Sequence, residues 1–251
     1  NIYPDLSKNI EKNLAIMLIK ITHHMHPKIV KYISDKNEIY KRKFKSSMDD
    51  KLQDAFFYKN SDCVFPGYRR PINNETKKAK WKNNINESDH TILNDNTTPR
   101  HIWAYLVANR CYSGGSTGMW NTSGLDKFEL AHIFGHKNDD RESDKEFFKD
   151  LNKTQPPYGL FTSASNVVLI PKGFAKPTDH MESIKRCFYK RHIELYGNNI
   201  IGLESFDETL VPDWYDKLEW AKEQILPIDW EEKIENLLIY REKHLNNKYK
   251  G

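Results

Sequence analysis

The sequence predicts an α+β fold, a mainly helical chain around a small ββα centre. Three observations carry that expectation. Helical periodicity dominates both ends of the chain. Strand character is confined to two short central segments, "FELAHI" and "NVVLIP". At 251 residues the chain is long enough to bury a core as one large domain or two small ones.

The elements follow in order. In "LSKNIEKNLAIMLIKITHHMHPKIVKYI", Ser7 serves as a helix cap, and Ile10, Leu14, Met17, Leu18 and Ile21 recur at helical spacing. Pro27 breaks or kinks that helix. "SSMDDKLQDAFFYK" reads as a second, short helix. "FPGYRRPINNETKKAKWKNNINESD" is turn-rich and basic, with Tyr68 and Trp81 among the charges. It suits either a phosphate-tracking segment or an exposed loop. "TTPRHIWAYLVANRCY" is a helix capped by Thr98, with Pro99 at its first position. "GGSTG" is a flexible loop. After the two strands, "KPTDHMESIKRCFYKRHIELYG" is a helix opened by Pro177 and Thr178 and closed by Gly197. The last third is helical, including "PDWYDKLEWAKEQIL" and "DWEEKIENLLIYREKHL".

Composition narrows the function classes. Mean hydropathy is −0.79 and 29% of residues are charged, yet 12% aromatics argue against disorder. No apolar run approaches membrane-spanning length. The N-terminus lacks a signal-peptide pattern, so a cytoplasmic, intracellular and prokaryotic protein is expected. Cys63, Cys111 and Cys187 are far apart and form no CxxC pair, which argues against a cysteine zinc site and suits a reducing compartment.

Net charge is +4, but it is segregated. Lys41 to Lys82 holds twelve Lys/Arg against five Asp/Glu, and Lys172 to His192 holds six against two. Glu204 to Glu235 reverses the balance, with eleven acids against three bases. A basic face for a polyanion explains this, and so do solvated helix faces.

The richest chemistry lies between Phe128 and Gly197. His132 ends the first strand in "ELAHI", Asn166 opens the second in "SNVVLIP", and His180 follows in "DH" at the start of the next helix. These three motifs, in this order, resemble the HNH branch of the ββα-metal nucleases, over a minority of the chain. The resemblance implies a ββα-metal (HNH-like) centre that hydrolyses phosphodiester bonds with Mg²⁺ or Mn²⁺ as cofactor. It implies His132 as general base, Asn166 as the residue orienting the base's loop, and His180 as a metal ligand. Read without it, His132 could be a satisfied half-buried histidine, Asn166 a turn residue and His180 a helix-start residue.

The chain departs from the pattern at Ala131, where many relatives carry a metal-binding Asp or His. Glu129, Asp179 and His136 are the other ligand candidates. A strict strand places Glu129 on the face of Ala131 and away from His132. Basic residues on both sides, Arg69, Arg70, Lys78, Lys172, Lys176 and Arg186, are the candidates for contacting DNA phosphates, with Lys185, Lys190 and Arg191 nearby.

Residues 1–120 are therefore expected to form a helical, basic DNA-recognition region. Residues 121–200 form the catalytic centre, and 201–251 a helical region packed on the same domain. The expected function is a metal-dependent DNA endonuclease of restriction or defence type acting on double-stranded DNA, with a homodimer to cut both strands. The alternative is a non-catalytic nucleic-acid-binding protein. "GGSTG" matches the G-x-S-x-G nucleophile pattern at Ser116, but a helical pattern precedes it where a hydrolase needs a strand. "HHMH", His23 to His26, reads as a helix-end cluster rather than a metal site.

Overall fold

The computed structural model describes residues 4–44, 56–64, 67–68, 93–94, 97–111, 124–134, 158–174, 181–197, 206–223 and 225–249. The architecture is mixed α+β and mainly helical, as the sequence predicts. Among the described residues no helix is long and apolar enough to cross a membrane.

The centre is a three-stranded antiparallel sheet in the order β1–β5–β4: His23–His24, Val167–Pro171 and Phe128–His132. A separate pair joins β2 (Gly67–Tyr68) to β3 (Leu93–Asn94) in parallel. Both predicted central strands form, and β5 is the middle strand. Its continuous apolar run has a physical reason, because the sheet is covered on both faces.

Alternation along the strands sorts side chains into two cores. On one face, Phe128 and Leu130 of β4 and Leu169 of β5 pack with α2 (Pro27–Phe44), α3 (Thr97–Ala108) and α6 (Trp230–Tyr249). On the other, Ala131, Val168 and Ile170 pack with α1 (Pro4–Lys20) and α5 (Glu182–Tyr196), joined by Leu160 of the short α4 (Tyr158–Phe161). The first of these cores draws on all three sequence regions, with Ile29 from 1–120, Leu169 from 121–200 and Ile234 from 201–251.

Several local expectations are corrected. Helix α1 begins at Pro4, ahead of Ser7. Pro27 does not kink a helix but opens α2, where its missing N–H is not needed. His26 caps that helix, its Nδ1 accepting the Lys28 N–H at 3.2 Å. His23 and His24 form an edge strand on β5, opposite Leu169 and Val168.

Helix α3 starts at Thr97, so Pro99 is not its first residue, and it ends in left-handed Asn109 at φ 51°. Helix α5 opens at Glu182 with Met181 extended before it, while Pro177 and Thr178 lie outside the described residues. It closes as expected at Gly197, whose φ is 79°. "PDWYDKLEWAKEQIL" is not a helix. Among its described residues a 3-10 turn forms at Tyr215–Lys217, and the chain then continues without regular secondary structure. There Ala221 N–H donates to the Ile19 carbonyl at 3.1 Å, and Trp220 sets its ring against His24 and Phe188. Tertiary packing overrides helix propensity at this segment. Most of "SSMDDKLQDAFFYK" and all of "GGSTG", with Ser116, lie outside the described residues.

Candidate active site

The site is built on the β4–β5 hairpin. His132 is the last residue of β4, directly opposite Val167, the first residue of β5. Asn166 therefore sits beside the exit of β4, just ahead of β5. Its side chain is fully buried, and both amide atoms are used. Oδ1 accepts the Phe134 N–H at 2.7 Å, and Nδ2 donates to the Phe134 carbonyl at 3.3 Å. The Asn166 carbonyl also accepts the Ile133 N–H at 2.9 Å. The two residues that follow His132 are thus pinned by one asparagine.

Phe134 is held from its ring as well. It stacks on Tyr189 of α5 at 5.1 Å between centroids and meets the edge of His192 at 4.9 Å. His192 is fully buried, and burial pushes its pKa down to about 3, so the imidazole is neutral. The loop after His132 is therefore clamped through backbone and side chain together.

Ala131 explains the missing ligand. It is 5% exposed and shares the core that holds Val168, Ile170, Ile184 and Phe188. The position at which the sequence resemblance leads to the expectation of a metal-binding side chain is here a core position. Glu129 lies opposite Ile170, three residues from His132 and on the other strand face. That separates them by about 10 Å along the strand, too far to share one cation.

The remaining expected ligands, His180, Asp179 and His136, lie outside the described residues. Among the described residues no group of three His, Cys, Asp or Glu side chains is placed to hold a metal ion. The described part of the hairpin–helix interface is apolar and does not fit one.

The expected phosphate contacts divide three ways. Lys172 is exposed in the turn after β5. Arg186 is a correction. It is only 8% exposed, its Nε is bonded to Glu182 at 2.9 Å, and its guanidinium lies over Tyr189, so it offers little to a DNA backbone. Arg69, Arg70, Lys78 and Lys176 lie outside the described residues.

The histidines at 23–26 line a cleft with Arg191, Lys222 and Glu223. Burial first, then the charges of Arg191, His192 and His23, push His24 down to about 3. His26 faces Glu223 at 3.4 Å.

One buried group gives no sequence signal. Asp62 is 1% exposed, and its Oδ2 accepts the Ser165 N–H at 2.6 Å, one residue before Asn166. Nothing in "KNSDCVF" marks that carboxylate as more than a loop residue.

Comparison with family models, with curated proteins and with solved structures gave no match.

Proposed function

We propose that this chain is an HNH-type, metal-dependent endonuclease that hydrolyses phosphodiester bonds of double-stranded DNA, in a restriction or defence role. One observation carries the reading. A fully buried asparagine spends both amide atoms on the backbone immediately after a strand-terminal histidine. A half-buried histidine with only a packing role needs no such clamp, whereas a general base does, because proton transfer depends on placement to a fraction of an ångström.

In this reading His132 accepts the proton of the attacking water. The water oxygen forms the new P–O bond. The departing sugar oxygen leaves with its electron pair and is protonated by solvent. The loop pinned by Asn166 and Phe134 holds the imidazole in line. A divalent cation, Mg²⁺ or Mn²⁺, would supply charge neutralisation at the phosphorane. The described residues assemble no ligand set for it. Lys172 is the described candidate for a phosphate contact. Cutting both strands of a duplex calls for two such sites, which favours a homodimer.

The test is plasmid cleavage with Mg²⁺ or Mn²⁺, with and without chelator, by wild type and His132→Ala. Cleavage that disappears with either change is expected, with the variant's thermal unfolding close to wild type. Cleavage that survives both would sink the mechanism. DNA retention without cleavage under any metal would instead favour a binding protein.

A further inference from the structure

The hydrogen bonds that fix Asn166 continue beyond the hairpin. Residues 61–64 run beside the turn that precedes β5. The Asp62 carbonyl accepts the Ala164 N–H at 3.2 Å. Cys63 pairs with Ser163 in an isolated antiparallel bridge, and its Sγ lies 3.1 Å from Thr162 Oγ1. Asp62 Oδ2 then takes the Ser165 N–H at 2.6 Å. Residues 162–165 are thus gripped by 62–63, and the next residue is Asn166.

The grip is itself anchored. Asn37 of α2 donates from Nδ2 to the carbonyls of Ser61 and Cys63 at 2.7 and 2.9 Å. Arg241 of α6 donates to Asn37 Oδ1 at 2.5 Å. Its guanidinium lies 4.2 Å from the centre of the Tyr40 ring. Helices distant in sequence therefore hold residues 61–64 in place.

The choice of side chain at 62 is the informative feature. Its Oδ1 is buried and has no hydrogen-bond partner among the described residues. A carboxylate buried with one oxygen unsatisfied is a poor choice for stability alone, since an apolar or hydroxyl side chain avoids the desolvation. The carboxylate does supply a strong, charge-assisted acceptor for one backbone N–H. That N–H belongs to the residue before the loop-orienting asparagine.

We infer that Asp62 is a positioning residue for His132. It acts through a relay of Ser165 N–H, Asn166, and the backbone of Ile133 and Phe134. The inference rests on the nuclease reading for its consequence, but the relay exists without it.

The experiment uses the full chain with Asp62→Ala, Asp62→Leu and Asp62→Asn. The leucine fills the site with a larger apolar side chain if the alanine variant does not fold, and the asparagine keeps the shape and an acceptor. Three quantities are read: NMR amide exchange at Ser165 and Phe134, the His132 ring-proton titration, and kcat and KM for cleavage of a duplex. In the alanine or leucine variant, exchange accelerates at both amides and the His132 titration shifts. There kcat falls roughly 10- to 100-fold, as for other outer-layer supports of a site, with KM unchanged. Asparagine restores part of all three.

Faster exchange at Ser165 with Phe134 and the His132 titration unmoved overturns the inference, whatever cleavage shows. A loss expressed only in KM overturns it too. If both NMR signals move while no form of the protein cleaves DNA, the relay stands and the nuclease reading fails.

Discussion

Replacing Asn166 with alanine tests the clamp directly. The variant removes the acceptor of the Phe134 N–H at 2.7 Å and the donor to its carbonyl at 3.3 Å. Both backbone groups sit in a residue with no exposed surface. An orphaned buried N–H costs about 1–3 kcal/mol, and the longer bond adds about 0.5–1.5 kcal/mol. The expected loss is therefore roughly 2–4 kcal/mol, within a total stability of about 5–15 kcal/mol for a typical domain. The protein stays folded at 25 °C, so any activity loss belongs to the site. Urea unfolding should show a lower midpoint with an unchanged m-value. Asn166→Asp sharpens the test. Its ionised carboxylate accepts the Phe134 N–H but opposes the carbonyl, whereas its protonated form can satisfy both. That variant should approach wild-type stability in acid and lose it as pH rises. A loss under about 1 kcal/mol in the alanine variant, with the Phe134 amide still protected from exchange, would refute the clamp.

Three further outcomes follow from the burial of charge and of backbone. Burial pushes the Asp62 carboxyl up to about 6, so folding favours its protonated form and its own contribution to stability falls as pH rises from about 4 to 6, by roughly 3 kcal/mol. Asp62→Asn should remove that contribution, so in chemical-unfolding curves stability should rise more steeply with pH between about 4 and 6 than in wild type, where the buried His24 and His192 pull the opposite way. His192 carries the opposite sign, its stability being present above about pH 6.5 and lost as pH falls toward 3, so His192→Phe should hold its Tm better than wild type at pH 5. A Cβ at Gly159 would meet the Phe56 carbonyl oxygen at 2.6 Å, so Gly159→Ala should lower stability by about 1–3 kcal/mol in thermal or urea unfolding.

The hairpin was legible in the sequence because its signals are local. "FELAHI" alternates, "NVVLIP" is a short apolar run, and β4 and β5 form where those patterns lie. What escaped depends on partners distant in the chain. His23–His24 is a strand only because β5 offers a free edge. The stretch from Pro212 onward has a helical pattern, but Trp220 finds a better place against His24 and Phe188 than a helix would give it. Arg186 carried the charge of a phosphate contact, yet helix α5 turns that position inward. Asp62 lies more than one hundred residues before Ser165, and no spacing rule links them.

Ala131 admits a last and decisive perturbation. If the proposed nuclease reading required a ligand at this place, Ala131→Asp would supply one. The structure predicts the reverse. The residue is 5% exposed in a core with Val168, Ile170, Ile184 and Phe188, beneath helix α5. A carboxyl buried there without a partner would have its pKa raised by about 3 units. At pH 7 that corresponds to about 4 kcal/mol, before the added volume costs about 1–3 kcal/mol more. Ala131→Asp should therefore unfold at a markedly lower temperature, and millimolar Mn²⁺ should not rescue it. Ala131→Val, which adds volume without charge, should lose only the smaller amount. If Mn²⁺ instead raised the Tm of Ala131→Asp by several degrees and left Ala131→Val unchanged, a cation would be bound beneath α5. The apolar reading of that interface would then be wrong.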